Sequence, residues 1–291
     1  MKNPPFEYHA PRSADEVLAL LAEHGDEAKV LAGGQSLVPL LAMRLARPSQ
    51  LVDINDVEEL AGIRPHDGGL AFGTLTRERD AERSPEVATV LPVLAEALPM
   101  IGHVSIRNRG TIGGSIAHAD ASAELPAVAV ATGAEMVLRS TRGERVVPAD
   151  EFFVSHFTTC LDDDELLTEV RMPSGPEGAG WAFHEIARRH GDFALVGVAA
   201  MVALDGNRQV GEARITLMGV ADRAVRAVEA EAALVGAAPG ADVIEAVAHE
   251  ATKDLDPATD MHGSAAFRRH LAGVAVRRAL TTATTRAGGT S

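Results

Sequence analysis

Cysteine is almost absent. A single residue, Cys160, stands in a chain of 291, so no intramolecular disulfide can close, and the chain alone cannot ligate an iron–sulfur cluster or a cysteine-based zinc. Any metal centre it serves is expected in another chain. Aromatic residues amount to 3%, which leaves Ala, Val and Leu to build the core and singles out each ring that does occur. Positive charge is also scarce. Lys plus Arg number 27 against 41 Asp plus Glu, a net charge of −14, the wrong sign for a chain that neutralises nucleic-acid phosphates or docks on anionic lipid. A local basic patch for an anionic cofactor stays compatible with that balance. No run of 18 apolar residues occurs, and Met1–Ser13 is polar and proline-bearing without the apolar core of a signal peptide, so a cytoplasmic protein without a membrane span is expected.

Several chemical signatures are missing as well. The chain has no G-x-x-x-x-G-K-[ST] and no G-x-G-x-x-G opening a helix, and Gly34-Gln35-Ser36 lacks the trailing glycine of a hydrolase elbow. The 11 histidines are scattered without a H-E-x-x-H pair, so no protein-bound metal and no catalytic nucleophile are assigned.

What is present is ordinary globular material, 46% hydrophobic and 23% charged, long enough for about two domains. Ser13 and Glu16 form a capping-box pattern that opens a helix ending at Gly25. A strand at Lys29–Leu31 leads through Ala32-Gly33-Gly34-Gln35-Ser36 into a helix over Leu37–Leu45, with Pro39 tolerated in its first turn. Short strands are expected at Leu51–Ile54 and Leu70–Gly73, and a helix over Val87–Ile101. A second glycine turn, Thr111-Ile112-Gly113-Gly114-Ser115, follows Arg107 and Arg109, and another helix starts near Ala123. A hairpin is expected around Thr141-Arg142-Gly143 and a strand over Glu165–Met172. Residues 174–180 (SGPEGAG) read as a linker. Beyond it, strands at Trp181–Ile186, Ala199–Leu204 and Ala213–Val220 precede helices at Ala224–Val235, Val243–Thr252 and Ala265–Thr282, with Ala287–Ser291 frayed.

The two glycine turns carry the chemistry. Glycine lets consecutive backbone N–H groups approach phosphate oxygens, and the following Ser or Thr adds a hydroxyl. Gly-Gly pairs also simply close strand turns, and spacing alone does not separate these readings.

With Arg188-Arg189-His190-Gly191-Asp192-Phe193-Ala194 and Arg268-Arg269-His270-Leu271-Ala272, the two turns resemble one family from about Phe6 to Leu280: the FAD-binding medium subunits of molybdenum hydroxylases of the carbon monoxide dehydrogenase and xanthine dehydrogenase type. The resemblance implies an α+β fold. A two-subdomain α/β FAD-binding domain (residues 1–175, divided near 55) would precede a C-terminal domain (176–287) with a small antiparallel sheet and helices. It implies that Ala32, Gly33, Gly34, Gln35 and Ser36, with Thr111, Ile112, Gly113, Gly114 and Ser115, embrace the FAD pyrophosphate. Gln35 and Ser115 replace the family's frequent His and Asn while keeping hydrogen-bonding capacity. Glu124 stands where an acid holds the ribityl or adenosine part, although an exposed acid in a helix's first turn would also suit the dipole. His184 stands where the xanthine enzymes carry a flavin-proximal Lys, and Phe193 where a side chain covers the isoalloxazine. Cys160 is read as an inert buried thiol. Partners implied are a small subunit with two [2Fe–2S] clusters and a large subunit with the molybdenum cofactor, in a dimer of heterotrimers. The rival reading is a stand-alone FAD oxidase of the vanillyl-alcohol type, which would carry a larger, aromatic-rich cap.

Overall fold

The computed structural model describes residues 2–288. Three sheets follow one another along the chain. The first is parallel, in the order β1-β3-β2, built from β1 (Glu7–His9), β2 (Ala28–Leu31) and β3 (Gln50–Asp53). Two helices accompany it. α1 (Ala14–His24) starts as its sequence dictates, with the Ser13 hydroxyl accepting from the Glu16 N–H and Glu16 accepting from the Arg12 N–H. α2 (Leu37–Ala42) stops three residues short of the expected Leu45, because Arg44 takes a left-handed turn at φ 60°. β1 is three residues long and carries no periodicity to read, so only the structure reveals it.

The second sheet is antiparallel, in the order β4-β5-β10-β6-β7: β4 (Ile63–His66), β5 (Gly69–Gly73), β6 (Glu135–Ser140), β7 (Gly143–Pro148) and β10 (Leu166–Pro173). Between β5 and β6 runs a helical layer: α3 (Glu78–Arg83), α4 (Pro85–Val90), α5 (Pro92–Ala97), α6 (Val104–Arg107), α7 (Ile112–His118) and α8 (Glu124–Thr132). The single helix expected over Val87–Ile101 is broken in two, since Leu91 before Pro92 leaves the helical region at φ −129°, ψ 66°. A short helix α9 (Ala149–Phe152) and the ribbon β8 (Phe153–Ser155) with β9 (Thr158–Thr159) fill the approach to β10.

The third sheet, β11 (Gly180–Ala187), β12 (Ala194–Leu204), β13 (Val210–Met218) and β14 (Val225–Arg226), is an antiparallel meander. It is backed by α10 (Val228–Leu234), α11 (Ala241–Glu250) and α12 (Ala265–Ala287). β12 begins five residues before the expected Ala199, as Ala194–Val198 is an unbroken buried run. Of the expected frayed end, Ala287 is helical, and residues 289–291 lie outside the described part.

α8 lies at the heart of the largest core, which also takes in Trp181, Ala199, Met201 and Met218 of the third sheet. Every residue from Glu124 to Thr132 is buried, a helix apolar on all sides and therefore central. Where the third sheet meets α12, Gly180 leaves no room for a side chain: a Cβ there would overlap the Ala283 carbonyl. Gly180→Ala is expected to cost about 2 kcal/mol or more in urea unfolding, by overpacking. Gly206→Ala, in open space, is expected to stay within about 0.5 kcal/mol of wild type.

Candidate functional site

The two glycine turns come from different sheets and meet. Ala32–Ser36 leaves the C-terminal end of β2, the end at which parallel sheets place ligands, and Thr111–Ser115 opens α7. A Cβ on Gly33 would overlap the carbonyl of Arg109, and one on Gly114 would lie 2.6 Å from Thr111 Oγ1 and 3.6 Å from the Ala32 Cβ. Gly34 adopts φ 75°, a conformation that glycine reaches without strain. Thus the glycines serve first to let two loops touch through their backbones.

Side chains then fasten the loops. Arg77 donates to the Arg109 carbonyl (2.7 Å) and to Asn55 Oδ1 (2.7 Å), while Asn55 Nδ2 donates to the Ala32 carbonyl (2.8 Å). Asp53 accepts from Tyr8 (2.7 Å) and from the Asn55 N–H (3.0 Å). Burial pushes the Asp53 carboxyl up, but these bonds hold it below the usual range. Arg107 is buried and gripped by Glu82 (2.8 and 3.1 Å) and by the Ile101 carbonyl (2.9 Å), which fixes the approach to the second turn. Asn55 and Arg77 escaped the sequence reading, since neither lies in a glycine motif.

In donors the turns are unequal. In the second, the Ile112, Gly113, Gly114 and Ser115 N–H groups are taken by the Thr76 carbonyl, the Thr74 carbonyl, Thr111 Oγ1 and the Thr111 carbonyl. In the first, the N–H groups of Gly33, Gly34, Gln35 and Ser36 donate to nothing among the described residues, and the Gln35 side chain folds back onto the Gly33 carbonyl (3.1 Å). Four consecutive N–H groups without a partner, beside a loop where the charges of Arg77 and Arg109 act on Asp53, are donors of the kind that an anion takes. An N–H cradle of this kind fits a pyrophosphate. Ser36 is exposed at its edge.

The remaining expected residues lie further out. Glu124 starts α8 and is 8% exposed, so it is no solvated first-turn acid. Burial pushes its carboxyl up to about 7, with Asp120 adding to the effect against its own N–H and Arg107. Glu78 of α3, on which it acts, is 4% exposed and sets its carboxyl against Gly110 with one oxygen unpartnered among the described residues. Burial, then Glu124, push Glu78 up to about 8. His184 does not point into this group. Its ring meets Arg278 of α12 (3.2 Å), and burial, then that charge, lower its affinity for a proton. Phe193, at 76% exposure in the loop joining β11 to β12, belongs to no core cluster. Cys160 is half-buried and its thiol is pushed up, chiefly by burial.

The geometry has close counterparts. Residues 4–175 match the family described as "FAD binding domain in molybdopterin dehydrogenase", and residues 181–283 match "CO dehydrogenase flavoprotein C-terminal domain". The chain is similar to the 6-hydroxypseudooxynicotine dehydrogenase complex subunit alpha of Paenarthrobacter nicotinovorans, with 47% identity over 99% of this chain and 97% of that one. It is similar to a chain of the carbon monoxide dehydrogenase structure from Hydrogenophaga pseudoflava, with TM-score 0.95, 43% identity, and 98% and 99% of the two chains covered. It also resembles a chain of quinoline 2-oxidoreductase from Pseudomonas putida 86, with TM-score 0.94, 41% identity and 99% of each chain covered.

The buried acids predict a pH dependence. A carboxyl raised to about 8 in the fold, against about 4.3 unfolded, contributes stability that is fully present below the unfolded value and is lost as pH rises through the folded one. Glu78→Gln is therefore expected to be more stable than wild type in urea at pH 8.5, with the advantage vanishing towards pH 4.5. An equal difference at both pH values would contradict the assignment.

Proposed function

The chain belongs to the family of FAD-binding medium subunits of carbon monoxide and xanthine dehydrogenase-type molybdenum hydroxylases, and on that premise we propose that Ala32–Ser36 and Thr111–Ser115 hold the FAD pyrophosphate. The four free N–H groups of the first turn carry this reading. The second turn, its glycine donors already used, supplies bare backbone alongside which the cofactor lies where the two loops meet, together with the Ser115 hydroxyl. FAD, when bound, accepts electrons singly and passes on pairs. The chain's own residues bind and orient. Arg77 and Asn55 keep the two turns in contact, Arg107 fixes the loop before the second, and Phe193 covers the ring and limits access to it. Glu124 accepts hydroxyl donors of the ribityl or adenosine part at the start of α8.

The stand-alone oxidase reading finds no support, since the C-terminal third matches the carbon monoxide dehydrogenase flavoprotein domain rather than a substrate cap. The linker at 174–180 spans the junction of the two matched segments, 4–175 and 181–283, which favours a domain division there, with a further division near residue 55 inside the first. Electrons then come from [2Fe–2S] clusters of a small partner, substrate oxidation belongs to a large partner with the molybdenum cofactor, and the assembly is a dimer of heterotrimers. Without these partners the chain turns over no organic substrate. No described helix is long and apolar enough to cross a membrane, in keeping with a cytoplasmic complex.

Three measurements test this. Denaturing the purified protein should release FAD into the supernatant, and Ser36→Asp, which sets a carboxylate among the free donors at an exposed position, should weaken FAD binding at least about tenfold, or 1.4 kcal/mol, with unchanged circular dichroism. Flavin retained on precipitated chain, or undiminished affinity in Ser36→Asp, contradicts the cradle. In size-exclusion chromatography of the native protein, molybdenum, iron and FAD should co-elute in one peak of the mass of two heterotrimers. A lone flavoprotein that oxidises an organic substrate would overturn the partner assignment.

A further inference from the structure

Strand β11 sorts its side chains strictly. Trp181 and Phe183 pack into the core that contains α5 and α8, while Ala182 and Ile186 pack into the core of α12. His184 follows the even set, as its contact with Arg278 of α12 shows. Glu185 follows the odd set and turns toward the α8 side, where Glu124 acts on it. One of its carboxyl oxygens is buried and has no hydrogen-bond partner among the described residues.

Glu185 also lines a cavity of about 300 Å³ between Met100 of the first domain and Arg188, Arg189, His190 and Gly191 of the β11–β12 loop. The loop is pressed onto the first domain, since a Cβ on Gly191 would lie 2.5 Å from the His103 ring and 3.2 Å from the Gly102 carbonyl. The same loop ends in Phe193. A buried polar atom without a partner costs on the order of 1–3 kcal/mol, and this one sits on the strand whose following loop ends in the residue taken to cover the flavin.

We propose that Glu185, not His184, is the titratable residue that β11 presents to the flavin, as a positioning residue whose proton occupancy sets the charge beside the ring. The inference rests on the placing of FAD given above. Burial, then Glu124, push the Glu185 carboxyl up to about 8, so it is neutral near pH 7 and gains a negative charge above that. The charged groups around it are unevenly placed. Glu124 of α8 opposes ionisation. Arg188, Arg189 and His190 line the same cavity, with Arg188 bonded to His262 (2.8 Å), and His103 lies across the seam against Gly191. Arg107 of α6 is held by Glu82. On the opposite face of β11 lie His184 and Arg278. Glu96 of α5 and Arg286 of α12 pair with each other (2.5 Å) at the Trp181–Phe183 end, and β12 carries no ionisable side chain.

A carboxylate near an electron-rich reduced ring disfavours reduction, and a neutral carboxyl does not. The test is the flavin midpoint potential of the FAD-loaded complex from pH 6 to pH 9, measured by dye equilibration. Wild type should fall more steeply above pH 7 than Glu185→Gln, with a difference by pH 9 of tenfold or more in the two-electron equilibrium, about 30 mV. Glu185→Lys should lie above both, and His184→Gln should keep the wild-type slope. Coincident slopes for wild type and Glu185→Gln, or a slope altered in His184→Gln instead, would overturn the inference. If neither Glu185 variant holds FAD, the infrared difference spectrum between oxidised and reduced wild type at pH 7 decides. A perturbed protonated-carboxyl band supports the inference, and its absence overturns it. Wild type that binds no FAD would refute the cofactor reading itself, a distinct outcome.

Discussion

A side chain on Gly33 would collide with the main chain of Arg109, and much of the site follows from that contact. Backbone-to-backbone approach demands residues without Cβ, and it brings the end of a parallel three-stranded sheet against a loop inserted between strands of an antiparallel one. Once the loops touch, their carbonyls and N–H groups need partners. Arg77 and Asn55 bond the carbonyls of Arg109 and Ala32, Thr74 and Thr76 take the donors of the second turn, and the donors of the first turn are left for an anion. The cradle is therefore what remains after the packing of the two loops has been satisfied.

This arrangement resolves the tension between an acidic chain and an anionic cofactor. The net charge of −14 describes the whole surface, and exposed charges are screened beyond about 10 Å. At the turns the local inventory is different: Arg77 and Arg109 stand beside free N–H dipoles. Of the acids around the turns, Glu78 and Glu124 are buried and raised to about 8 and about 7, so burial removes much of their repulsion, while Asp53 is engaged by Tyr8 and Asn55. Glu78 would ionise only by placing a charge against the backbone of Gly110.

How far the sequence could be read depends on the range of the interaction concerned. The capping box at Ser13, the glycine turns and the Thr141-Arg142-Gly143 hairpin are local, and each stands where its residues put it. The helix over Val87–Ile101 was read through Pro92 because its apolar pattern continues across the break, although proline restricts the residue before it. β1 was invisible because a three-residue strand gains its stability from pairing with β3, far along the chain. The same holds for Asn55 and Arg77, whose roles exist only once two loops are brought together. Glu124 was legible as a candidate, but its burial was not, since a Glu opening a helix ordinarily faces water.

His184 and Glu185 show the finest limit. Along a strand one residue exchanges the two faces. Here that step decides between a histidine held against α12 and a carboxyl turned into the seam between domains. The bonding pattern settles the parity: Glu185 pairs with Gly197 and His184 with Val198 on β12, while Phe183 and Ile186 on either side pack into opposite cores. Gly197 is itself constrained, because a Cβ there would overlap the Met218 side chain. The register that aims Glu185 is thereby tied to packing deep in the third sheet, and the identity of the residue facing the seam is set by the fold of the C-terminal domain rather than by the two glycine turns.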